Sequence, residues 1–278
     1  LADGIPDDAF KPIEGDNKKF VSELKKRNKT ERRDRIQGQG LLFSSQEVSG
    51  ALASQFTELS ELDDSTVDAV ITKEQRHEEL VESSEYRNTK LIADAWCSAF
   101  MWKKDGSEEG KFCPTDRDLA EIKANPGSTS TELNTGVKKL ANHYQFFHWH
   151  LAFPDVFVLP NEALSPENEH TGWNRGFDVV LGNPPWEKIK LEEKEFFALR
   201  APEVATASSA AKRKKLIKSL EQESPETFIE YLDALRHANG IAHFLRSSNA
   251  YPLCSNGDIN TYAVIAELMH NCINSHGR

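Results

Sequence analysis

The sequence predicts a mainly α-helical chain with few strands, in which a helical insertion accompanies part of an open α/β domain. Apolar residues recur at helical spacing through most of residues 16–146. Only 38% of the 278 residues are hydrophobic, 28% are charged, and the mean hydropathy is −0.58, which favours long solvated helices around a small core. One short run that begins at Phe177 contains a continuous apolar block, Val179–Leu181, the pattern of a strand buried in a parallel sheet.

The first half, residues 1–146, is predicted to be a helical insertion with an antiparallel helical hairpin. Asp16 is the expected N-cap of its first helix, and Asp63–Ser65 is expected to cap a longer one, because short polar side chains satisfy the free amides of a first turn. The predicted helices run from Asp16 to about Ile36, from Ser45 to Leu59, from Val67 to Phe100 as one helix, from about Asp116, and from Val137 to Tyr144.

The second half, residues 147–278, is predicted to hold the strand, its exit loop and the helices that follow. Residues 159–176 are polar, contain two prolines and two glycines, and predict a surface loop that leads into the strand. Helical spacing resumes after the strand. The predicted helices are Lys190–Leu199, Ser208–Leu220, Pro225–Phe244 and Asn260–Cys272.

The motif Asn183-Pro184-Pro185-Trp186 follows the predicted strand at once. Two consecutive prolines cannot continue a hydrogen-bonded ladder, so the chain must turn out of the sheet at its carboxyl edge, where open α/β sheets bind ligands. The Asn183 amide oxygen and the Pro184 carbonyl can accept hydrogen bonds from an exocyclic amine, and Trp186 offers a face for stacking. Such a loop suits an extruded nucleobase, because enzymes that modify a base in duplex DNA must first take it out of the stack.

This motif resembles the catalytic motif of N6-adenine DNA methyltransferases, written (D/N/S)PP(Y/F/W). The flanking segments Phe147–Phe157, Tyr251–Leu253 and Gly257–Tyr262 resemble the large single-chain methyltransferases of type IIG restriction–modification and PglX-like (BREX) phage-defence systems. The resemblance implies a partial Rossmann-like (class I) α/β domain and direct methyl transfer from S-adenosyl-L-methionine to adenine. It also implies that Asn183, Pro184, Pro185 and Trp186 are the catalytic residues, with Asn183 near the methyl group of the cofactor.

The resemblance further implies that the chain is an internal fragment that is inactive alone. It places the glycine motif that binds the cofactor upstream of Leu1, since Gly38-Gln39-Gly40 follows a basic helical run rather than a strand. The implied partners are double-stranded DNA with a flipped adenine and the rest of the parent polypeptide, including a target-recognition domain.

The formal net charge of −10 argues against a DNA-binding surface spread over the whole chain. Two basic blocks are local exceptions, residues 25–35 and 212–215, although each is equally well explained as the solvated face of a helix. The block nearer to the motif is ranked higher for contact with phosphate. The predicted DNA-binding residues are Lys188, Lys190, Lys212, Arg213, Lys214 and Lys215.

The remaining residue types limit the chemistry. The four cysteines have no paired spacing, and no membrane span or signal peptide is visible, so a cytoplasmic chain with reduced thiols is predicted. Cys113-Pro114 has the reverse of the order in which cytosine-5 methyltransferases place their nucleophile, which disfavours that reaction. His143, His148 and His150 lack a cysteine at ligand spacing, so no metal is predicted. Aromatic packing beneath the strand explains this segment better.

Two other functions stay open at this point. The same loop could methylate an amine on another planar substrate, namely cytosine N4, RNA or a protein glutamine. The chain could instead be a catalytically inert helical interaction module, a description that residues 16–146 favour.

Overall fold

The structure, a computed structural model, describes residues 4–38, 45–158 and 166–277. In this part of the chain it contains twelve α-helices and three short 3-10 helices, at residues 7–10, 110–112 and 126–128. The α-helices are α1 (Lys18–Gly38), α2 (Ser45–Ser60), α3 (Val67–Val81), α4 (Ser84–Met101), α5 (Asp116–Ala124), α6 (Thr131–Tyr144), α7 (Trp149–Ala152), α8 (Glu193–Phe197), α9 (Pro202–Ala205), α10 (Ala210–Glu223), α11 (Pro225–Ser247) and α12 (Thr261–Cys272). The mainly α prediction is confirmed.

Helix α1 is where it was predicted, but its cap is not Asp16. The amides of Lys19 and Phe20 donate to Oδ1 of Asn17, at 3.0 and 3.2 Å, so Asn17 satisfies the first turn. The Asp16 carboxylate is used in the tertiary structure instead. Its Oδ1 accepts from the backbone amide of Lys104 at 2.9 Å and from the Arg236 guanidinium at 3.0 Å. The predicted Asp16 cap is therefore wrong by one residue.

The single long helix predicted for Val67–Phe100 is also wrong, since the chain breaks between α3 and α4. The Ser83 side chain accepts a hydrogen bond from the Tyr86 amide at 3.2 Å and starts a new helix there. Thr66 caps α3 in the same way through the Ala69 amide. A serine that offers the backbone a local alternative to the helical bond can interrupt an apolar repeat.

The largest core lies among α1, α4, α5 and α6 and the 3-10 helix at residues 7–10. Phe100 is fully buried at its centre, and Phe244 of α11 packs edge-on against it with ring centroids 5.3 Å apart. Arg236, also on α11, donates to the carbonyls of Met101 and Trp102. Helix α11 therefore ties the second half of the chain to the core of the first.

Two smaller cores lie in the second half. One joins α8, α9, α10 and α11 around the buried side chains of Phe197, Val204 and Leu220. The other joins α11 and α12 around Leu245, Ile259 and Val264. Ile189, which follows the asparagine–proline motif by three residues, packs against this last core. The division of the chain at residue 146 stays a prediction.

Extended structure is scarce. Within the described residues, four isolated β-bridges replace strands, and one of them, Phe177 with Ile273, is parallel. The predicted loop at residues 159–176 lies partly outside the described residues, and its described part holds the bridges Val158–Asn174 and Asn168–Trp173. Among the described helices, none has both the length and the apolar character required to span a bilayer.

Candidate active site

The segment Phe177–Trp186 is extended, but it is not the buried strand that the sequence predicted. Val179 is 58% exposed and Leu181 is 89% exposed, and the backbone groups of residues 179–182 form no hydrogen bond within the described residues. Phe177 has one backbone neighbour, Ile273: the Phe177 amide donates to Cys272 O and its carbonyl accepts from the Asn274 amide. A strand of a parallel sheet is buried when neighbouring strands pair with its backbone and other elements cover both faces, and the described chain supplies one backbone neighbour at a single point.

The start of this segment is held by aromatic side chains. The ring centroid of Phe177 lies 5.9 Å from that of Trp149, 5.2 Å from Phe153 and 5.1 Å from Phe157, all in edge-to-face geometry. Such T-shaped pairs are favourable because the positive edge of one ring meets the negative face of the other. The prediction of aromatic packing is confirmed for these three residues, whereas Phe146 packs against the core of the first half and Phe147 is exposed.

Helix α12 supports the rest of the segment, which runs along it in the opposite direction. Gly176 lies at the carboxyl end of the helix, where a Cβ would come within 2.7 Å of Cys272 O. Gly182 lies against the methyl group of Met269, which would have to move to make room for a Cβ. Trp186 lies at the amino end of α12, beside Tyr262. Because both glycines have backbone or side-chain atoms in the place of a Cβ, the segment fits the helix closely.

The two predicted hydrogen-bond acceptors are unengaged. Asn183 is exposed, and its side-chain amide forms no hydrogen bond within the described residues. The Pro184 carbonyl likewise accepts none within that part of the chain, whereas the next carbonyl, of Pro185, accepts one from the Thr261 hydroxyl at 2.6 Å. Of these two consecutive carbonyls, that of Pro185 is hydrogen-bonded and that of Pro184 is not. The Pro184 carbonyl is the one that was predicted to accept a hydrogen bond from a substrate.

The indole of Trp186 lies at the surface. It is 82% exposed, and its ring centroid lies 5.3 Å from that of Tyr262, with 33° between the planes. Tyr262 supports one side of the indole, which leaves most of its surface accessible. The exposure of the indole agrees with the prediction that it does not fill a core, whereas the sheet rim from which it was predicted to emerge is represented only by the bridge at Phe177.

Thr261 is a site residue that the sequence analysis did not single out. Its hydroxyl donates to Pro185 O at 2.6 Å and accepts from the Glu187 amide at 3.1 Å, while its own amide donates to Glu187 O at 2.9 Å. Glu267, buried on the same helix, accepts from the amides of Leu253 and Cys254, both at 2.9 Å. The flanks Tyr251–Leu253 and Gly257–Tyr262 carried the family resemblance, yet nothing local in them indicates these contacts.

The predicted DNA-binding residues fall into two groups. Near the motif, Lys188 lies 3.5 Å from Asp258 and Lys190 lies 3.5 Å from Glu192, so both are in exposed ion pairs. On α10, the half-buried Arg213 lies 3.7 Å from Glu193. The other three residues on that helix are exposed and form no ion pair within the described residues: Lys212, Lys214 and Lys215.

The first basic block, in α1, has a structural explanation. Arg35 of this block pairs with Asp116 of α5, and four of its other side chains pair with acidic residues of the same helix and of the preceding segment. The pairs are Lys25–Asp8, Arg27–Glu31, Arg32–Asp7 and Arg33–Asp34. These pairs favour the ion-paired helix face over a phosphate surface for this block.

The titratable groups of the chain do not supply a thiolate. Burial raises the pKa of Cys97 and of Cys113 to about 12 and that of Cys272 to about 11, and it also raises the pKa of Cys254. All four thiols are therefore protonated at neutral pH and are poor nucleophiles. In the described residues, no three histidine, cysteine or acidic side chains are grouped so that they could hold a metal ion.

His148 lies in a polar contact rather than a metal site. Its Nε2 lies 2.7 Å from Oδ1 of the buried Asp94, whose other oxygen accepts from Lys90 at 2.5 Å. His150, nearby, has a pKa lowered to about 4, because it is buried and faces His148. This network joins α4 to the segment that carries the aromatic residues around Phe177.

Comparison with known proteins gives one match. The family model described as Eco57I restriction-modification methylase matches residues 94–258, which is more than half of the chain and includes the asparagine–proline motif. No curated protein and no solved structure matches the chain. The matched range begins in α4, at the aspartate that pairs with His148, and ends within the loop between α11 and α12. The chain belongs to the Eco57I restriction-modification methylase family.

Proposed function

We propose that this chain carries the catalytic loop of an adenine-N6 DNA methyltransferase of the type IIG or PglX-like kind. Its family is that of restriction-modification methyltransferases. The observation that carries the finer assignment is the state of the loop: the Asn183 amide and the Pro184 carbonyl are both unengaged, beside an exposed indole. Both acceptors are therefore available to the amine of a substrate, as the motif requires.

The geometry suits an exocyclic amine on a flat ring. Such an amine has two hydrogens and a lone pair that is delocalised into the ring, which makes it a weak nucleophile. Oxygens of Asn183 and Pro184 accept one hydrogen each, favour a pyramidal nitrogen and fix the direction of its lone pair. Trp186 stacks on the ring, a contact worth about 1–3 kcal/mol per base in single-stranded nucleic-acid complexes. Pro185 limits the rotation of the loop between the acceptors and the indole.

The electron-rich character of the loop also fits S-adenosyl-L-methionine. When bound, this cofactor supplies a methyl group on a positively charged sulfur. An amide oxygen, a free carbonyl and the face of an indole are groups that favour a neighbouring cation. Asn183 would lie nearest the methyl group. Because the four thiols are protonated, direct attack by the amine is favoured over a route through a cysteine adduct.

The proposed architecture is a Rossmann-like catalytic part at residues 147–278 with a helical insertion at residues 1–146. The parallel bridge between Phe177 and Ile273 supports it, since the chain between these residues includes α12 and so forms the crossover that parallel pairing requires. Within the described residues, the backbone of residues 179–182 forms no hydrogen bond, which leaves an edge for further strands. Double-stranded DNA and a target-recognition domain are the proposed partners.

The test is methylation of unmethylated genomic DNA by the intact protein with isotope-labelled cofactor, followed by nucleoside analysis. Asn183→Ala should lose methyl transfer without loss of thermal stability, because the side chain is exposed and makes no hydrogen bond. Asn183→Asp keeps an acceptor oxygen and should retain part of the activity. Methylation by Asn183→Ala at the wild-type rate would refute the proposal.

The same analysis separates the alternatives. Two acceptors and a stacking ring would also receive the amine of cytosine, so a product that is N4-methylcytosine would keep the loop chemistry and change the substrate. Label found only in RNA or in protein glutamine would likewise keep the chemistry of the loop and change its substrate. No labelled product from any of them would favour an inert interaction module, for which the long helices of the first half are suited.

A further inference from the structure

The amino end of α12 contacts the loop on both sides of Trp186. The Thr261 hydroxyl donates to the carbonyl of Pro185, directly before the tryptophan, and accepts from the amide of Glu187, directly after it. One hydroxyl thus joins the two peptide groups that flank the indole. A hydroxyl has one proton and two lone pairs, so both hydrogen bonds can form together. The Glu187 carbonyl is a second acceptor for that proton, but at 3.2 Å it is farther away than the Pro185 carbonyl at 2.6 Å.

The consequence concerns which carbonyl faces a substrate. Peptide groups are planar, so a hydrogen bond that fixes the Pro185 carbonyl also fixes the orientation of the amide of Trp186. With the Pro185 carbonyl turned toward Thr261, the Pro184 carbonyl is the one left unengaged. The backbone pairing between Lys188 and Asn260 continues the same attachment.

The ring of the next residue, Tyr262, lies against the indole with centroids 5.3 Å apart. The hydroxyl therefore sets the backbone on either side of Trp186, and the phenol ring supports one side of its side chain. Both residues lie beyond the range 94–258 that the family model matches.

We propose that Thr261 is a positioning residue: its hydroxyl holds Trp186 and the Pro184 carbonyl in the orientation that receives the target base, with Tyr262 as the support beneath the indole. This inference rests on the proposed function of the loop. Thr261 itself contacts no substrate; it acts through the two peptide groups that it joins.

A spectroscopic test does not depend on activity. In protein labelled with 5-fluorotryptophan, the resonance of Trp186 is identified by its loss in Trp186→Phe. Thr261→Val, which has nearly the same shape without the hydroxyl, should shift or broaden this resonance and leave those of the other four tryptophans unchanged. Thr261→Ser should give the wild-type spectrum. An unchanged Trp186 resonance in Thr261→Val, or a change in all five, would overturn the inference.

Kinetics complete the test. Thr261→Val should lower kcat for DNA methylation about 10- to 100-fold, as expected for a misplaced reacting group, and should change the KM for DNA less than about threefold. Thr72→Val is the control, because the Thr72 hydroxyl bonds only the Asp68 carbonyl of its own turn in α3. An effect on KM alone, or no rescue by Thr261→Ser, would overturn the positioning role. Full activity of Asn183→Ala would instead refute the proposed function, whatever the spectrum of Thr261→Val shows.

Discussion

Replacing Trp186 with alanine separates the chemistry of the loop from the stability of the fold. The indole is 82% exposed, and its one aromatic neighbour is Tyr262. An exposed aromatic pair of this kind is worth about 0.5–1 kcal/mol, so the free energy of unfolding should fall by no more than that. Loss of a stacking face for an extruded base costs about 1–3 kcal/mol, which corresponds to an about 5- to 150-fold lower kcat/KM.

The assay compares denaturant unfolding with methylation of genomic DNA by the intact protein. Trp186→Phe keeps a smaller aromatic face and should lie between wild type and Trp186→Ala. Leu199→Ala is the matched control, since Leu199 is 95% exposed but has no proposed role, and both its stability and its activity should stay near wild type. The reasoning is refuted if Trp186→Ala keeps its kcat/KM, or if it loses several kcal/mol of stability, because the indole would then belong to a core.

Two further predictions concern charge. Replacing both Lys214 and Lys215 with glutamine should weaken DNA binding and reduce the slope of log affinity against log salt concentration by about 2. Lys138 and Lys139, an adjacent pair on α6 that is also exposed and forms no ion pair within the described residues, are the control, and replacing both with glutamine should leave the slope unchanged. Equal slopes for the two double variants would contradict a DNA-binding role for α10. Burial and the nearby Lys104 and Lys11 lower the pKa of His243 from 6.5 to about 4. Between these two pH values the imidazole is protonated in the unfolded chain but neutral in the folded one. The free energy of unfolding should therefore fall as the pH drops from about 6.5 to about 4. In His243→Gln the loss of unfolding free energy over this pH range, measured by urea titration, should be smaller. A pH profile of stability identical to that of the wild type would contradict the lowered pKa of His243.

Local signals predicted most of the helices. Helix α5 begins where the Thr115 and Asp118 side chains form a capping box, and both residues are visible in the sequence three positions apart. Helix α12 has apolar residues at helical spacing, and it lies within one residue of its predicted start. The break at Ser83 was missed because the apolar repeat of α3 resumes in α4, and a serine within such a repeat is equally compatible with a continuous helix.

The site was only partly predictable for a related reason. The motif Asn183–Trp186 is local, so it could be recognised from the sequence. The burial of the residues before it depends on distant parts of the chain, and the sequence of those residues alone does not determine it. The contact between Thr261 and Pro185 joins residues 76 positions apart and depends on how α12 lies against the loop. No periodicity or capping rule reaches that far. The catalytic roles of Asn183, Pro184, Pro185 and Trp186 stay predictions until the variants are measured.

The bare edge at residues 179–182 has a consequence for how the molecule behaves at high concentration. Free amides and carbonyls beside apolar side chains are a template on which strands of other molecules can add, the first step toward aggregation. Here the template is only about four residues long, because Asp178 places a carboxylate at one end and two prolines close the other. Such gatekeepers shorten any intermolecular ladder and so limit self-association.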